Sequence, residues 1–186
     1  MICADILGER TRLSPERTAV VDVANGVRLS YREMDHRAAT CARAWLYGLG
    51  LKRGDRLGIL SGNRLEFLDA FFAASKCGVV LVPLGTRLTA TELAVIAKDS
   101  RLSGLVYGGE HAETVAELAR LTGVGRLVAL DGDEGGHSVS WDSVLESVGD
   151  GEWVPSVCEP EDPYCLLYTS GTTGRPKGVI TPHRMV

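Results

Sequence analysis

Short apolar runs alternate with segments of helical periodicity along most of this 186-residue chain. The runs that predict strands are Arg56 to Leu60, Val79 to Val82, Leu105 to Tyr107, Leu127 to Leu130, Tyr164 to Thr169 and Val179 to Thr181. The helices predicted between them are Leu65 to Cys77, Thr89 to Asp99, Ala112 to Leu121 and Trp141 to Val148. Alternation of this kind favours a largely parallel sheet covered by helices. The predicted fold class is therefore α/β, and the sequence shows no internal repeat.

The first fifty residues predict a hairpin followed by a helix. Thr18 to Val23 and Val27 to Leu29 flank an Asn25-Gly26 pair, the preferred sequence of a two-residue hairpin turn. Ser30 to Glu33 then has the Ser-x-x-Glu pattern of a capping box. The helix that it starts should run to about Gly48. Its apolar stripe is Met34, Ala38, Cys41, Ala42, Trp45 and Leu49.

Composition excludes several classes of protein. The length fits one domain, and the net charge of −4 without a basic block argues against a nucleic-acid partner. The N-terminus lacks the basic start and long apolar core of a signal peptide, and no apolar stretch is long enough to predict a transmembrane helix. The five cysteines are odd in number and form no C-x-x-C pair, so we expect reduced thiols and a cytoplasmic protein. No metal-ligand spacing is present.

One run near the C-terminus carries the chemistry. Tyr168 to Gly178 reads Y-T-S-G-T-T-G-R-P-K-G and directly follows an apolar stretch. Its glycines let backbone N–H groups approach a ligand closely, and successive N–H groups in such a turn form an anion-binding concavity. The hydroxyls add rotatable donors, and Lys177 adds a point charge suited to phosphate. The run therefore predicts a polyphosphate-binding loop at the end of a strand.

The run is not a Walker A loop, which needs Gly-Lys followed by Ser or Thr. It resembles, at every position, the phosphate loop of the acyl-adenylate-forming enzymes: acyl-CoA synthetases, luciferases and the adenylation domains of peptide synthetases. The resemblance covers roughly residues 11 to 186. It includes the segments Gly54 to Arg56, Asn63 to Phe72, Lys76 to Leu84 and Thr86 to Thr89. Gly85 departs from the asparagine that many relatives carry.

The resemblance implies a two-step reaction. A carboxylate attacks the α-phosphate of ATP to give an acyl-adenylate and pyrophosphate, and a thiol, usually that of coenzyme A, then takes the acyl group. Lys177 is the implied catalytic residue, because it would offset charge on the departing pyrophosphate. The implied nucleotide-binding residues are Thr169, Ser170, Gly171, Thr172, Thr173, Gly174 and Lys177. For Arg175 and for His183, which matches a histidine of relatives, a purely structural role remains open.

The resemblance also implies what lies outside this chain. Residues 1 to 186 correspond to the N-terminal part of the adenylation domain. The Mg²⁺-binding glutamate, the acyl pocket and the C-terminal lid domain are expected downstream. The isolated chain is therefore expected to be inactive and marginally soluble. Two alternatives stay open: a non-catalytic module that pairs with a full-length synthetase, and an adenylation domain feeding a carrier protein. The carboxylic acid and the oligomeric state stay open as well.

Overall fold

The computed structural model of the chain describes residues 5–132, 136, 138–149, 158–169 and 176–186. Its strands are β1 (Thr18–Asp22), β2 (Val27–Ser30), β3 (Arg56–Leu60), β4 (Val80–Pro83), β5 (Gly104–Tyr107), β6 (Leu127–Ala129), β7 (Val139–Ser140), β8 (Pro163–Thr169) and β9 (Lys177–Pro182). Its α-helices are α1 (Ile6–Leu13), α2 (Tyr31–Arg43), α3 (Leu65–Cys77), α4 (Ala90–Ser100), α5 (Ala112–Thr122) and α6 (Trp141–Glu146). A π-helical turn, Ala44–Gly48, extends α2. Short 3₁₀ helices lie at Gly109–His111 and His183–Met185.

A seven-stranded sheet has the order β7-β6-β5-β3-β4-β8-β9. All neighbours from β7 to β8 are parallel, and β9 pairs antiparallel with β8. The first two strands form a separate antiparallel hairpin. The α/β fold with a largely parallel sheet is thus confirmed.

Two apolar layers enclose the sheet. On one face, α2, α3 and α6 pack Trp45, Ala70 and Trp141 onto buried strand residues such as Ile59 and Leu81. On the other face, α4 and α5 contribute the remaining layer: Leu93, Ile96, Val115 and Leu118. Strand residues that alternate between the faces explain why the central runs are apolar throughout, since strands buried on both faces need no polar side.

The predicted elements are found with ends that differ by no more than about two residues, within the usual uncertainty of element ends. Both capping boxes form: the Ser30 hydroxyl accepts from the backbone N–H of Glu33, and the Thr89 hydroxyl accepts from that of Glu92. Ser140 caps α6 in the same way. Local hydrogen-bond chemistry therefore determined where these helices begin.

Two elements were not predicted. Helix α1 buries only Leu7, so it has no apolar stripe to detect. Strand β7 is two residues long and pairs with β6 through tertiary contact. In the described part of the chain, no helix combines the length and apolar character needed to cross a bilayer.

Candidate functional site

The two ends of the predicted phosphate loop lie side by side. Thr169, the last residue of β8, and Lys177, the first residue of β9, are directly opposite each other in the antiparallel ladder. Opposite residues in such a ladder have Cα atoms about 4.5–5.5 Å apart. The hairpin therefore holds the two residues at the ends of the predicted loop next to each other.

Thr169 and Lys177 present their side chains on the same face of the hairpin. Directly opposite residues of an antiparallel pair share a face, and both of these residues are exposed. A hydroxyl and an ammonium group are thus placed together at the neck of the loop. The sequence interpretation grouped these two residues, and the structure brings them together.

The remaining predicted contacts lie outside the described residues. They are Ser170, Gly171, Thr172, Thr173 and Gly174, together with Arg175. Their part in nucleotide binding stays a prediction. Pro176 is described and half-buried, and its ring restricts the backbone just before Lys177.

The loop leaves the sheet at a topological switch point. The connection after β4 crosses over β3 to reach β5, whereas the chain after β8 turns the other way to β9. In open α/β sheets, ligands bind in the crevice where neighbouring connections diverge beyond the carboxyl ends of the strands. The crevice between the ends of β4 and β8 is therefore the candidate ligand site.

Arg87 is a candidate that sequence reasoning did not single out for function. It follows β4 at the same sheet edge as the loop and is exposed. Among the described residues it takes part in no salt bridge. The signal available in the sequence was its place just after a buried parallel strand, where polar residues converge on one edge.

A second switch point, between β3 and β5, carries a polar network. The Arg64 guanidinium donates to both Asp131 carboxylate oxygens at 2.9 and 3.0 Å and to Glu66 at 2.7 Å. The Gly109 N–H also donates to Asp131, and this bond, with Arg64, lowers the pKa of that carboxyl. The charged groups at this second switch point are therefore paired with one another.

His183 lies far from the loop. It follows β9 at the end opposite Lys177, and a six-residue strand spans about 20 Å. The His183 ring is buried, with its centroid 5.1 Å from that of Tyr164. The placement supports the structural alternative for this residue, as a core side chain at the base of the hairpin.

The reaction that the resemblance implies also needs Mg²⁺. In the described ranges, no group of three or more His, Cys, Asp or Glu side chains is arranged to hold a metal ion. Mg²⁺ in nucleotide sites is held by one or two carboxylates and by the substrate phosphates, so a preformed cage is not required.

Comparison with known proteins identifies the family of the chain. A family model described as "AMP-binding enzyme" matches residues 7–186. The chain belongs to this family. Among curated members of the AMP-binding family, it is 34% identical over 186 residues to the long-chain-fatty-acid–CoA ligase FadD13 of Mycobacterium tuberculosis, covering 97% of this chain and 35% of the ligase. It is 39% identical over 175 residues to a feruloyl-CoA synthase of Amycolatopsis, covering 94% of this chain and 32% of the synthase.

A solved structure of the AMP-binding family has the same fold. The anthranilate CoA ligase AuaEII, in complex with anthranoyl-AMP, aligns with a TM-score of 0.89 at 25% identity, over 99% of this chain and 35% of the ligase. The chain spans about a third of the length of the relatives that it matches, and that third is their N-terminal portion. The family is that of the AMP-forming acyl-CoA ligases and synthetases.

Proposed function

We propose that residues 1–186 form the N-terminal part of the adenylation domain of an AMP-forming acyl-CoA ligase. The observation that carries the proposal is the neck of the loop: Thr169 and Lys177 are paired on one face of the β8–β9 hairpin. Family membership and the coverage of one third of each relative support it. The lid domain and the acyl pocket would belong to the other two thirds.

In the proposed reaction, a carboxylate oxygen attacks the α-phosphate of ATP, and the bond to the bridging oxygen of pyrophosphate breaks. The protein positions the reactants and stabilises charge. The hydroxyls of Thr169, Ser170, Thr172 and Thr173 and the amides of Gly171 and Gly174 would hold the β- and γ-phosphates. The Lys177 ammonium would offset charge as it builds on pyrophosphate. Bound Mg²⁺ would neutralise phosphate charge.

Two relatives indicate the acid and the thiol. The names of FadD13 and feruloyl-CoA synthase specify a long-chain fatty acid and an aryl acid, both joined to CoA. We propose a fatty or aryl acid as substrate and CoA as the acceptor. The four described cysteines are free thiols, which fits a reducing compartment, and we place the activity in the cytoplasm.

A second candidate is an adenylation domain that feeds a carrier protein. It is favoured by a 34% identical relative named salicyl-AMP ligase / salicyl-S-ArCP synthetase, of which this chain covers 32%. Both candidates share the adenylation step and differ in the thiol. Supplying CoA or a purified carrier protein to the adenylate, and asking which one becomes acylated, separates them.

The proposal is tested on an extended ligase, defined as residues 1–186 followed by the remaining two thirds of an adenylate-forming relative. We expect it to release pyrophosphate from ATP only when a carboxylic acid is present. Lys177→Ala and Gly174→Val should each lower that rate roughly a hundredfold, the usual cost of losing one preorganised charge contact or its backbone geometry.

Matched controls are available on the same chain. Lys52→Ala removes an exposed lysine near the opposite sheet edge, and Gly125→Val fills open space at a glycine without positive φ. Both should leave the rate unchanged. Equal rates for Lys177→Ala and Lys52→Ala would reject the role assigned to Lys177.

The non-catalytic alternative has its own test. The 186-residue chain is mixed with a purified full-length relative and, separately, titrated with ATP in a calorimeter. A stoichiometric complex, or ATP binding without pyrophosphate release by the extended ligase, would favour a regulatory module. If neither result is obtained and the extended ligase is active, the non-catalytic alternative is rejected.

A further inference from the structure

Tyr168 lies across the neck of the loop hairpin. It is directly opposite Gly178 in the ladder, and its ring covers that glycine. A Cβ atom added at Gly178 would lie 3.0 Å from the ring carbon Cζ and 3.1 Å from the hydroxyl oxygen of Tyr168. A larger residue there would push the ring aside by a few tenths of an ångström, and Gly178 directly follows Lys177.

The Tyr168 hydroxyl reaches a different part of the fold. It donates to the Asp99 carboxylate at 2.5 Å, across 69 positions of sequence. Asp99 lies in the last turn of α4, the helix that crosses from β4 to β5. Burial, followed by the contact with Asp99, raises the pKa of Tyr168 to about 12, so the hydroxyl remains a donor at neutral pH.

This bond ties the hairpin to α4 next to the loop. In the described part of the chain, β9 pairs only with β8, and β8 joins the parallel sheet through the single partner pair Leu81 and Cys165. Two-stranded ribbons twist more strongly than strands inside a sheet. Among the described hydrogen bonds made by side chains, that of Tyr168 lies closest in sequence to the loop. It therefore restrains the twist of the neck.

Successive strand residues point to opposite faces, so Tyr168 and Gly178 face α4 while Thr169 and Lys177 face the other way. We propose that Tyr168, through Asp99, is a positioning residue that sets the twist of the hairpin neck and so aims Thr169 and Lys177 at the phosphates of ATP. The inference rests on the proposed function. It adds that the hydrogen bond to Asp99 connects α4 physically to the neck of the loop.

The test uses the extended ligase and two tyrosine variants of the same strand. Tyr168→Phe removes the hydroxyl but keeps the ring over Gly178. Tyr164→Phe is the matched control, because it removes a hydroxyl that donates to the Phe71 carbonyl at 2.6 Å, further from the loop. We expect Tyr168→Phe to raise KM for ATP roughly five- to tenfold, the effect of losing one typical hydrogen bond, with KM for the acid unchanged. Tyr164→Phe should leave both constants unchanged.

Two Asp99 variants separate positioning from general loss of stability. Asp99→Asn keeps an acceptor oxygen and should retain most of the ATP affinity, whereas Asp99→Ala should match Tyr168→Phe. The double variant Tyr168→Phe/Asp99→Ala should be no worse than either single variant, because both remove the same bond.

The outcomes are distinct for the two proposals. If the unmodified extended ligase uses ATP and Tyr168→Phe behaves like Tyr164→Phe, the positioning role is overturned and the proposed function stands. If the unmodified protein neither binds ATP nor releases pyrophosphate, the proposed function and this inference fall together. A selective rise in KM for ATP supports both.

Discussion

Lys76 shows how a single buried charge ties three elements together. Its side chain is 3% exposed and forms salt bridges with Asp5 at 2.7 Å and Asp35 at 2.6 Å. Asp5 is also the N-cap of α1, while Asp35 lies on α2 and Lys76 on α3. A buried cation needs partners of opposite charge, and here the partners come from two separate elements. The pairing therefore anchors α1, which has little apolar surface of its own.

Replacing Lys76 with Met should destabilise the fold. The two carboxylates would lose their shared cation, at a cost of about 2–3 kcal/mol; the full cost of breaking a buried pair is larger, but both carboxylates are partly exposed. Urea unfolding measures the change in the free energy of unfolding. Lys98→Met, at an exposed position of α4, is the control and should cost little. Equal effects from the two variants would contradict the anchoring role.

At the scale of elements, each of the two capping boxes begins a helix with hydrogen bonds that involve a titratable glutamate. Glu33 accepts from the backbone N–H and hydroxyl of Ser30, each at 2.7 Å, and Glu92 accepts from those of Thr89, each at 2.8 Å. The backbone bonds, followed by the hydroxyl bonds, lower the pKa of both glutamates below the ordinary value of 4.5.

These lowered pKa values predict a loss of stability in acid. The charged form is favoured in the folded state, so the contribution is present above pH 4.5 and disappears as the pH falls through the folded-state pKa values. The double variant Glu33→Gln/Glu92→Gln keeps the box geometry without the charge. The melting temperature is measured at fixed pH values between pH 6 and pH 3. We expect that of the double variant to fall less over this range than that of the unmodified chain.

The control for the acid experiment is Glu113→Gln. Glu113 also lies in the first turn of a helix, α5, but the N-cap of that helix makes no side-chain capping bond. This variant should follow the pH profile of the unmodified chain. A double variant that melts with the same pH dependence as Glu113→Gln would show that the capping boxes are not responsible.

At the scale of the whole molecule, the sheet is asymmetric. The central strands are buried on both faces, whereas β9 exposes Val179 and Ile180, which lie on opposite faces of the hairpin. Leu167 of β8 is also exposed. Within the described residues, the outer edge of β9 has no partner strand. An unpaired edge with apolar side chains on both faces is prone to pairing with other chains.

The isolated chain should therefore self-associate as its concentration rises. Ile180→Lys places a charge on the edge strand and should shift the sedimentation profile towards the monomer. Val23→Lys, at a side chain that is 87% exposed but lies beside the separate β1–β2 hairpin, is the matched control. Self-association that responds equally to both substitutions, or that is absent in the unmodified chain, would contradict the edge as its cause.

Much of this fold could be predicted because its signals are local. Apolar runs gave the central strands, and the Ser30 and Thr89 caps gave the helix starts. The phosphate-loop run indicated the family directly, since hydroxyls, glycines and lysine in one order are recognisable without coordinates. Helix α1 was not predicted because it is anchored through Asp5 by Lys76, a residue far away in sequence. Strand β7 was not predicted because two residues are too few to show a periodicity.

The amino-acid sequence by itself determined the order of strands and helices, the capping chemistry and the place of the loop after a buried strand, because each depends on neighbouring residues. Only the tertiary structure decided which strands are adjacent, and hence that the loop follows a strand at one switch point while Arg64 and Asp131 pair at the other. It also placed His183 away from the loop and Asp99 beside Tyr168. Contacts between distant segments depend on how the layers pack, and no local pattern encodes them.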